Sequence, residues 1–173
     1  MSAAVCPRVS LSRSLTPSER ALARSAGLDH LLAGAMEDLG ISAGGVNCRL
    51  TGTREMTRLN GTFSGQDAST DVLAFPAREA VAGFDFALPP GPVPELGDIV
   101  ISVPEAIGNA PQRPVDELRL LAVHGLLHLL GYDHHGAQEA RRMTGETRRL
   151  LRLAASRRGE AAPRVPKLVP SAP

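Results

Sequence analysis

Apolar residues in the first third of the chain recur at helical spacing and then change to strict alternation. Thr16-Pro17-Ser18-Glu19 reads as a capping box with Pro at the first helical position, which predicts the start of a helix. The apolar stripe that follows runs to Leu39, with Gly27 placed to kink the helix and Gly40 placed to end it. Over residues 46–51 apolar and polar side chains alternate, which predicts a half-buried strand.

The remaining patterns predict short strands separated by helices. We expect a short helix over residues 53–60, a loop over 63–69, strands over 71–75 and 98–102, helices beginning at Pro104 and Pro114, and a last helix over 138–153. Residues 77–95 are rich in Gly and Pro and lack periodicity, which is typical of an irregular connection. Together these elements predict an α+β fold, with a small mixed β-sheet flanked by helices and the histidine-bearing helix packed on the sheet.

Length and composition indicate one folded domain followed by a tail. The chain has 173 residues with 43% hydrophobic content, enough for a single core. We place the domain at residues 1–156 and expect residues 157–173, basic and rich in Pro, to form a disordered tail. The sequence has neither the apolar core of a signal peptide nor a stretch long enough to cross a membrane, and the spacing of Cys6 and Cys48 suggests no disulfide framework. These features favour a cytoplasmic protein that does not engage a membrane, with Cys48 a small buried residue.

Basic residues are concentrated at the C-terminal end, although the net charge of the whole chain is only +1. From Arg141 onward, arginines and Lys167 are opposed by only Glu146 and Glu160. This run can be a solvated helix face, or it can contact the phosphate backbone of RNA. Aromatic residues make up 3% of the chain and Trp is absent, which argues against extensive stacking of bases on aromatic side chains.

The most informative segment is the run His124-Gly125-Leu126-Leu127-His128-Leu129-Leu130-Gly131-Tyr132-Asp133-His134. His124 and His128 are four residues apart, so on a helix their rings lie on the same face. Gly131 can adopt the left-handed conformation that ends a helix, which lets His134 return towards the first two rings. Three imidazoles with an open fourth position suit Zn²⁺, so we predict one zinc ion per chain held by His124, His128 and His134. His135 is the alternative third ligand.

The residue after the first histidine bears on the type of chemistry. Metzincin proteases have a similar histidine layout but carry a Glu at this position as the general base. Gly125 occupies it here and has no side chain that can take a proton. A zinc protease is therefore disfavoured.

Four further motifs accompany the histidine run in a fixed order: Leu59-Asn60, the TDVLAFP segment of residues 70–76, the LGDIVI segment of residues 96–101, and Met143. Together with residues 124–134, they resemble the YbeY family, which consists of bacterial metal-dependent endoribonucleases that mature ribosomal RNA. The resemblance covers residues 16–153.

The resemblance carries specific functional implications. It implies a single-strand-specific endoribonuclease that processes the 3′ end of 16S ribosomal RNA and contributes to ribosome quality control. It also implies zinc held by three histidines. The implied partners are ribosomal RNA, the small ribosomal subunit and its assembly factors, and DNA is not expected to bind.

One position departs from the family pattern. Between the Leu-Asn and Thr-Asp-Val motifs, the family carries an aromatic residue followed by a catalytic Arg, whereas this chain has Phe63 followed by Ser64. Arg54 and Arg58 on the preceding helix are the candidates to supply the missing charge. The loss of the Arg keeps a second hypothesis open, in which the protein is a non-catalytic zinc-containing factor for ribosome assembly or RNA binding.

Three carboxylates have two interpretations each. Asp133 can orient a ligand ring or simply stabilise the turn in which it lies. Asp71 and Asp98 lie at the ends of predicted strands and can act in catalysis or as structural caps.

Overall fold

The computed structural model describes residues 5–77 and 95–166. Its strands are β1 (Val5–Leu11), β2 (Gly44–Thr51), β3 (Val72–Pro76) and β4 (Glu95–Ser102). Its helices are α1 (Pro17–Ser25), α2 (Leu28–Asp38), α3 (Thr53–Ser64), α4 (Val103–Asn109), α5 (Pro114–Leu129) and α6 (Ala137–Arg158).

The strands form one mixed sheet in the order β1-β2-β4-β3. β1, β2 and β4 are parallel, and β3 pairs antiparallel with β4 at one edge. Helices flank this sheet, and α5 packs against β3 and β4, so the predicted fold class is confirmed. The irregular connection predicted over residues 77–95 lies almost entirely outside the described residues, and Glu95 already belongs to β4.

β1 is a strand that our sequence analysis did not predict. Its apolar side chains do alternate, at Val5, Pro7, Val9 and Leu11. Only one side of β1 is paired, and most of its residues remain partly or fully exposed, so the burial signal is weak. Pro7 is tolerated because an edge strand does not need every backbone N–H for pairing.

Several predicted helix boundaries differ from the observed ones. The first predicted helix is two helices, because Gly27 takes a left-handed conformation (φ 59°) that breaks the helix rather than kinking it. α3 continues to Ser64, so residues 63 and 64 are helical and not part of the predicted loop. None of the helices in residues 5–77 and 95–166 is both long enough and apolar enough to cross a bilayer.

α5 lies very close to β4 on one face of the sheet. A Cβ atom added to Gly125 would lie 2.7 Å from Cγ2 of Ile99, so the contact leaves no room for a side chain at this position. Leu126 and Leu127 are fully buried beside it. This packing fixes the helix that carries His124 and His128 on the sheet.

α3 contacts the opposite face of the sheet at the end of β2. Arg49 is paired with Val100 in the β2–β4 register, one step away from Ile99, so its side chain projects from the other face. There the Arg49 guanidinium donates to the Glu55 carboxylate of α3 at 2.8 Å. The rest of this face is largely exposed, as at Arg8 and Asp98.

The C-terminal segment is tied to the domain. α6 extends to Arg158, two residues beyond the expected end of the domain at residue 156, and Arg157 pairs with Asp38 of α2. Further along, Val165 is only 9% exposed, and its carbonyl accepts a hydrogen bond from Arg148 at 3.2 Å. Val165 is therefore part of the core, whereas most of its neighbours in residues 160–166 are exposed, and residues 167–173 of the predicted tail lie outside the described residues.

Deleting residues 157–173 should lower the stability of the domain. Burial of Val165 alone is worth about 1.5 kcal/mol, which corresponds to a loss of roughly 3–6 °C in melting temperature. Thermal and urea unfolding of the full and shortened chains measures the difference. Val165→Ala should reproduce part of the loss, whereas Arg164→Ala at the exposed neighbouring position should not. Equal stability of the full and shortened chains would show that this packing contributes nothing.

Candidate metal centre

α5 ends in a turn that reverses the chain at Gly131. Gly131 has a φ of 80°, and its N–H donates to the His128 carbonyl at 3.0 Å. The Tyr132 N–H donates to the Leu127 carbonyl, also at 3.0 Å. This pair of bonds is the Schellman motif, which requires a residue that tolerates positive φ. The predicted role of Gly131 is confirmed, and the turn directs His134 back towards the helix.

His124, His128 and His134 form one compact group. Each offers a ring nitrogen, and these nitrogens all lie within 4.8 Å of one another. Nε2 of His128 lies 3.1 Å from Nε2 of His124, so these two atoms face each other. The His134 ring centroid lies 5.7 Å from that of His124 and 5.3 Å from that of His128. Two of the rings thus come from one helix face and the third from the turn.

Burial keeps the rings of His124 and His128 neutral. Burial is the main cause that lowers the pKa of His124 to about 3, and the positive charges that His128 and His134 would carry contribute to this shift. Burial also lowers the pKa of His128, as does the charge on His134, while Asp133 and a backbone hydrogen bond with Tyr132 act in the opposite direction. At neutral pH the His124 and His128 rings therefore carry lone pairs rather than positive charge.

The chemistry of this donor set fits a transition-metal ion. Neutral imidazole nitrogens are ligands for zinc, copper, iron and nickel, and no carboxylate joins the group within the described ranges. Because the Nε2 of His128 faces His124, Nδ1 is the nitrogen left to bond the Tyr132 backbone. A bond at Nδ1 of this kind orients a ligand ring and sets its tautomer. The three histidines can hold a metal ion.

Comparison with known proteins places this site in a family. The sequence profile of the family described as "Endoribonuclease YbeY" matches residues 21–155, which include all three histidines. The chain belongs to the YbeY family. Curated relatives named "Endoribonuclease YbeY" include those of Alkalilimnicola ehrlichii, 43% identical over 60% of this chain and 60% of the relative, and of Anaeromyxobacter sp., 44% identical over 66% of this chain and 56% of the relative. The relative from Thermus thermophilus is 41% identical over 65% of this chain and 78% of its own length.

The match to a solved structure covers more of the chain. The solution structure of TM1509 from Thermotoga maritima is 25% identical, with a TM-score of 0.56, and the match covers 88% of this chain and 91% of that one. By sequence, the chain spans about three fifths of the length of the first two curated relatives. The fold is thus similar to that of this solved structure over 88% of the chain, while the family profile covers residues 21–155.

Gly125 has a structural role in this member of the YbeY family. Its Cα faces Ile99 of β4, on the side of α5 that packs on the sheet. A glutamate here would enter the core instead of joining the histidine group. The packing therefore accounts for the glycine and excludes a protease-type base at this position.

Asp133 and His135 interact with each other beside the centre. The Asp133 carboxylate accepts the His134 backbone N–H at 2.6 Å and lies 3.0 Å from Nε2 of His135. The His135 side chain is 70% exposed and is not a member of the three-histidine group. Asp133 thus stabilises the turn that carries His134, and His135, the alternative ligand, is turned towards Asp133.

Asp71 and Asp98 have local structural partners. The Asp71 carboxylate accepts the Val72 N–H at 2.8 Å and the Asn109 side-chain amide at 3.2 Å, which joins β3 to α4. Asn109 also bonds Glu117, whose pKa is raised chiefly by burial and additionally by the charge of Asp71. Glu117 precedes His124 by seven residues, about 10 Å along the helix.

Asp98 accepts the Asn47 amide at 2.9 Å. These bonds favour the structural interpretation of both aspartates.

Ser64 is the last residue of α3, and its neighbour Phe63 is 63% exposed. The Phe63 ring lies 4.7 Å from the Phe75 ring, measured between centroids, which places the end of α3 beside β3. Arg54 and Arg58 are exposed on α3, and neither forms an ion pair with a carboxylate in the described residues. No hydrogen bond or ion pair in those residues joins either arginine to the histidine group.

Tyr132 and Arg142 are two residues near the centre that our sequence analysis did not single out individually. The Tyr132 backbone bonds the ring of His128, and the Arg142 guanidinium carbon lies 5.0 Å from the centroid of the Tyr132 ring. Tyr132 and Arg142 are ten residues apart with a turn between them, so no periodic pattern in the sequence predicts their contact. Arg142 was visible only as part of the basic run.

Proposed function

We propose that this protein is a metal-dependent endoribonuclease that cleaves single-stranded RNA. The observation that carries the proposal is the group of three histidine rings formed by α5 and the turn that follows it, in a chain that belongs to a family described as an endoribonuclease. His124, His128 and His134 are the residues that would hold one Zn²⁺ per chain. When bound, Zn²⁺ supplies Lewis-acid stabilisation of the negative charge on a phosphodiester.

The protein's own residues prepare this site in three ways. Burial keeps His124 and His128 unprotonated, so that their lone pairs are available at neutral pH. The Tyr132 backbone orients the His128 ring, and the Asp133 carboxylate fixes the backbone of His134. Gly125 has no side chain that can accept a proton. Another group must therefore remove the proton from the attacking nucleophile.

The RNA that we propose as substrate is a precursor of 16S ribosomal RNA, cut near its 3′ end in the cytoplasm. The small ribosomal subunit and its assembly factors would then be its partners. This part of the proposal rests on the resemblance of the sequence motifs to those of the family. Mapping of 16S 3′ ends in cells with and without the gene tests it, since unprocessed ends should accumulate in its absence.

The cleavage activity itself is tested with labelled RNA. Purified protein loaded with zinc should cut a single-stranded oligonucleotide in its interior and leave a matched duplex intact. A chelator should stop the reaction, and added zinc should restore it. No cleavage under any of these conditions would favour the second candidate, a non-catalytic zinc-containing factor for ribosome assembly, for which Ser64 is the supporting observation.

Replacing Ser64 with arginine should raise the cleavage rate if the position is equivalent to that of the family arginine. A serine hydroxyl cannot supply the charge that stabilises a phosphoryl-transfer transition state, and one such contact is worth ~10²–10³ in rate. Single-turnover kinetics of wild type and Ser64→Arg measure the gain.

Arg54→Ala and Arg58→Ala complete this series. If one of these arginines already supplies the charge, its removal should abolish cleavage, and Ser64→Arg should change little. Strong cleavage that survives both alanine substitutions together, with no gain from Ser64→Arg, would show that neither candidate arginine is needed.

A further inference from the structure

The arginines of α6 differ in how their charge is used. Most of the arginines in its C-terminal half form ion pairs with carboxylates of the same domain. Arg149 pairs with Glu146, Arg157 pairs with Asp38, and Arg158 pairs with Glu160. These arginines hold α6 and the segment after it in place, so the basic run is not one uniform surface.

Arg142 is held in a different way. Its guanidinium carbon lies 5.0 Å from the centroid of the Tyr132 ring, a cation–π contact. The side chain is exposed, and no carboxylate within residues 5–77 and 95–166 forms an ion pair with it. A contact through the aromatic face limits the motion of the guanidinium, while the N–H groups at its edge can still bond an oxyanion in bidentate fashion.

Tyr132 connects this cation to the histidine group. The Tyr132 N–H bonds the Leu127 carbonyl at 3.0 Å, and its backbone bonds the ring of His128. Tyr132 therefore belongs to the rigid turn between His128 and His134. An arginine that rests on its ring is anchored to the same turn that carries His134.

We propose that Arg142 binds a backbone phosphate of a single-stranded RNA that lies across the three-histidine centre. The proposal deepens the endoribonuclease function proposed above and rests on it. Because the contact is to a phosphate, it adds affinity and positions the strand without reading its sequence. In this proposal the basic residue that contacts RNA lies near the beginning of α6 and not near its end.

The test is equilibrium binding of a fluorescent single-stranded RNA to the zinc-loaded full chain over a series of salt concentrations. A gel at the end of each titration verifies that the RNA is intact. Arg142→Ala should bind about tenfold more weakly at low salt, and the slope of log K against log salt should become less steep by about 0.7, the value for one lost phosphate contact on a single strand. Arg142→Lys should retain most of the slope, since it keeps the charge.

Arg152→Ala is the matched control. Arg152 is exposed on the same helix and forms no ion pair with a described carboxylate, but it lies about 15 Å further along the axis. Its removal deletes the same charge and should leave the slope nearly unchanged. Zinc content and melting temperature of Arg142→Ala should match wild type, which distinguishes a phosphate contact from a structural one.

The outcomes separate this proposal from the endoribonuclease function. Unchanged affinity and slope in Arg142→Ala, or an equal loss in Arg152→Ala, would overturn the role of Arg142 even if wild type cleaves RNA. A selective loss of binding in Arg142→Ala would support that role even if wild type does not cleave. Wild type that binds no single-stranded RNA at any salt concentration would overturn it.

Discussion

His128→Ala should lose its zinc and with it the cleavage of RNA. The His128 ring nitrogen lies within 4.8 Å of those of His124 and His134, so its removal leaves only two donors for the ion. Loss of an outer-shell partner alone costs 10–100-fold in metal affinity, so loss of a ligand should cost more than about 100-fold. Elemental analysis should find about one zinc per wild-type chain and far less in the variant. Cleavage should fall at least as far as the zinc content.

His135→Ala is the control for this substitution. His135 lies in the same turn but faces Asp133, and it does not belong to the histidine group. It should keep its zinc and its activity. Circular dichroism of both variants verifies that the fold is retained. Full zinc content in His128→Ala would refute the ligand assignment.

Gly125→Glu should destabilise the fold and create no protease. A Cβ atom at this position would lie 2.7 Å from Cγ2 of Ile99, which is fully buried, so the new side chain must displace the contact between α5 and β4. Overpacking and burial of an unpaired carboxylate together should cost about 3 kcal/mol or more. The melting temperature should fall by roughly 6–12 °C.

Gly145→Glu gives the matched comparison, because Gly145 is a glycine in α6 with no atom within 4 Å of an added Cβ. Helix propensity favours both substitutions equally, so the difference between them isolates the packing at Gly125. The Gly145 variant should melt at or slightly above the wild-type temperature. Wild-type stability of Gly125→Glu, or hydrolysis of a peptide substrate by it, would contradict the packing described here.

The histidine group was accessible from the sequence because its determinants are local. The spacing of His124 and His128 follows from the pitch of a helix, and the return of His134 follows from a glycine that can take positive φ. Both act over a few residues and do not depend on the rest of the fold. The buried environment of Cys48, whose pKa rises to about 12 because of burial, was likewise predictable from alternation in its strand.

Other features of the fold, namely one strand and two helix boundaries, depend on tertiary contacts that a local sequence pattern does not predict. The apolar residues of β1 alternate, but they are only weakly buried because β1 is an edge strand, and its identity as a strand comes from pairing with β2. The helix break at Gly27 and the extension of α3 to Ser64 were decided by packing and by backbone conformation at single residues. Sequence periodicity places such boundaries only to within a few residues.

The sequence alone determined the fold class, the helix that carries the two histidines, the glycine turn and the departure at Ser64. Each of these follows from periodicity, capping or residue identity within a short window. The tertiary structure decided the strand order, the role of Gly125 as a packing position and the placement of Arg142 over Tyr132. These depend on which surfaces meet when the core forms, because side chains distant in sequence come within contact distance only in the packed protein.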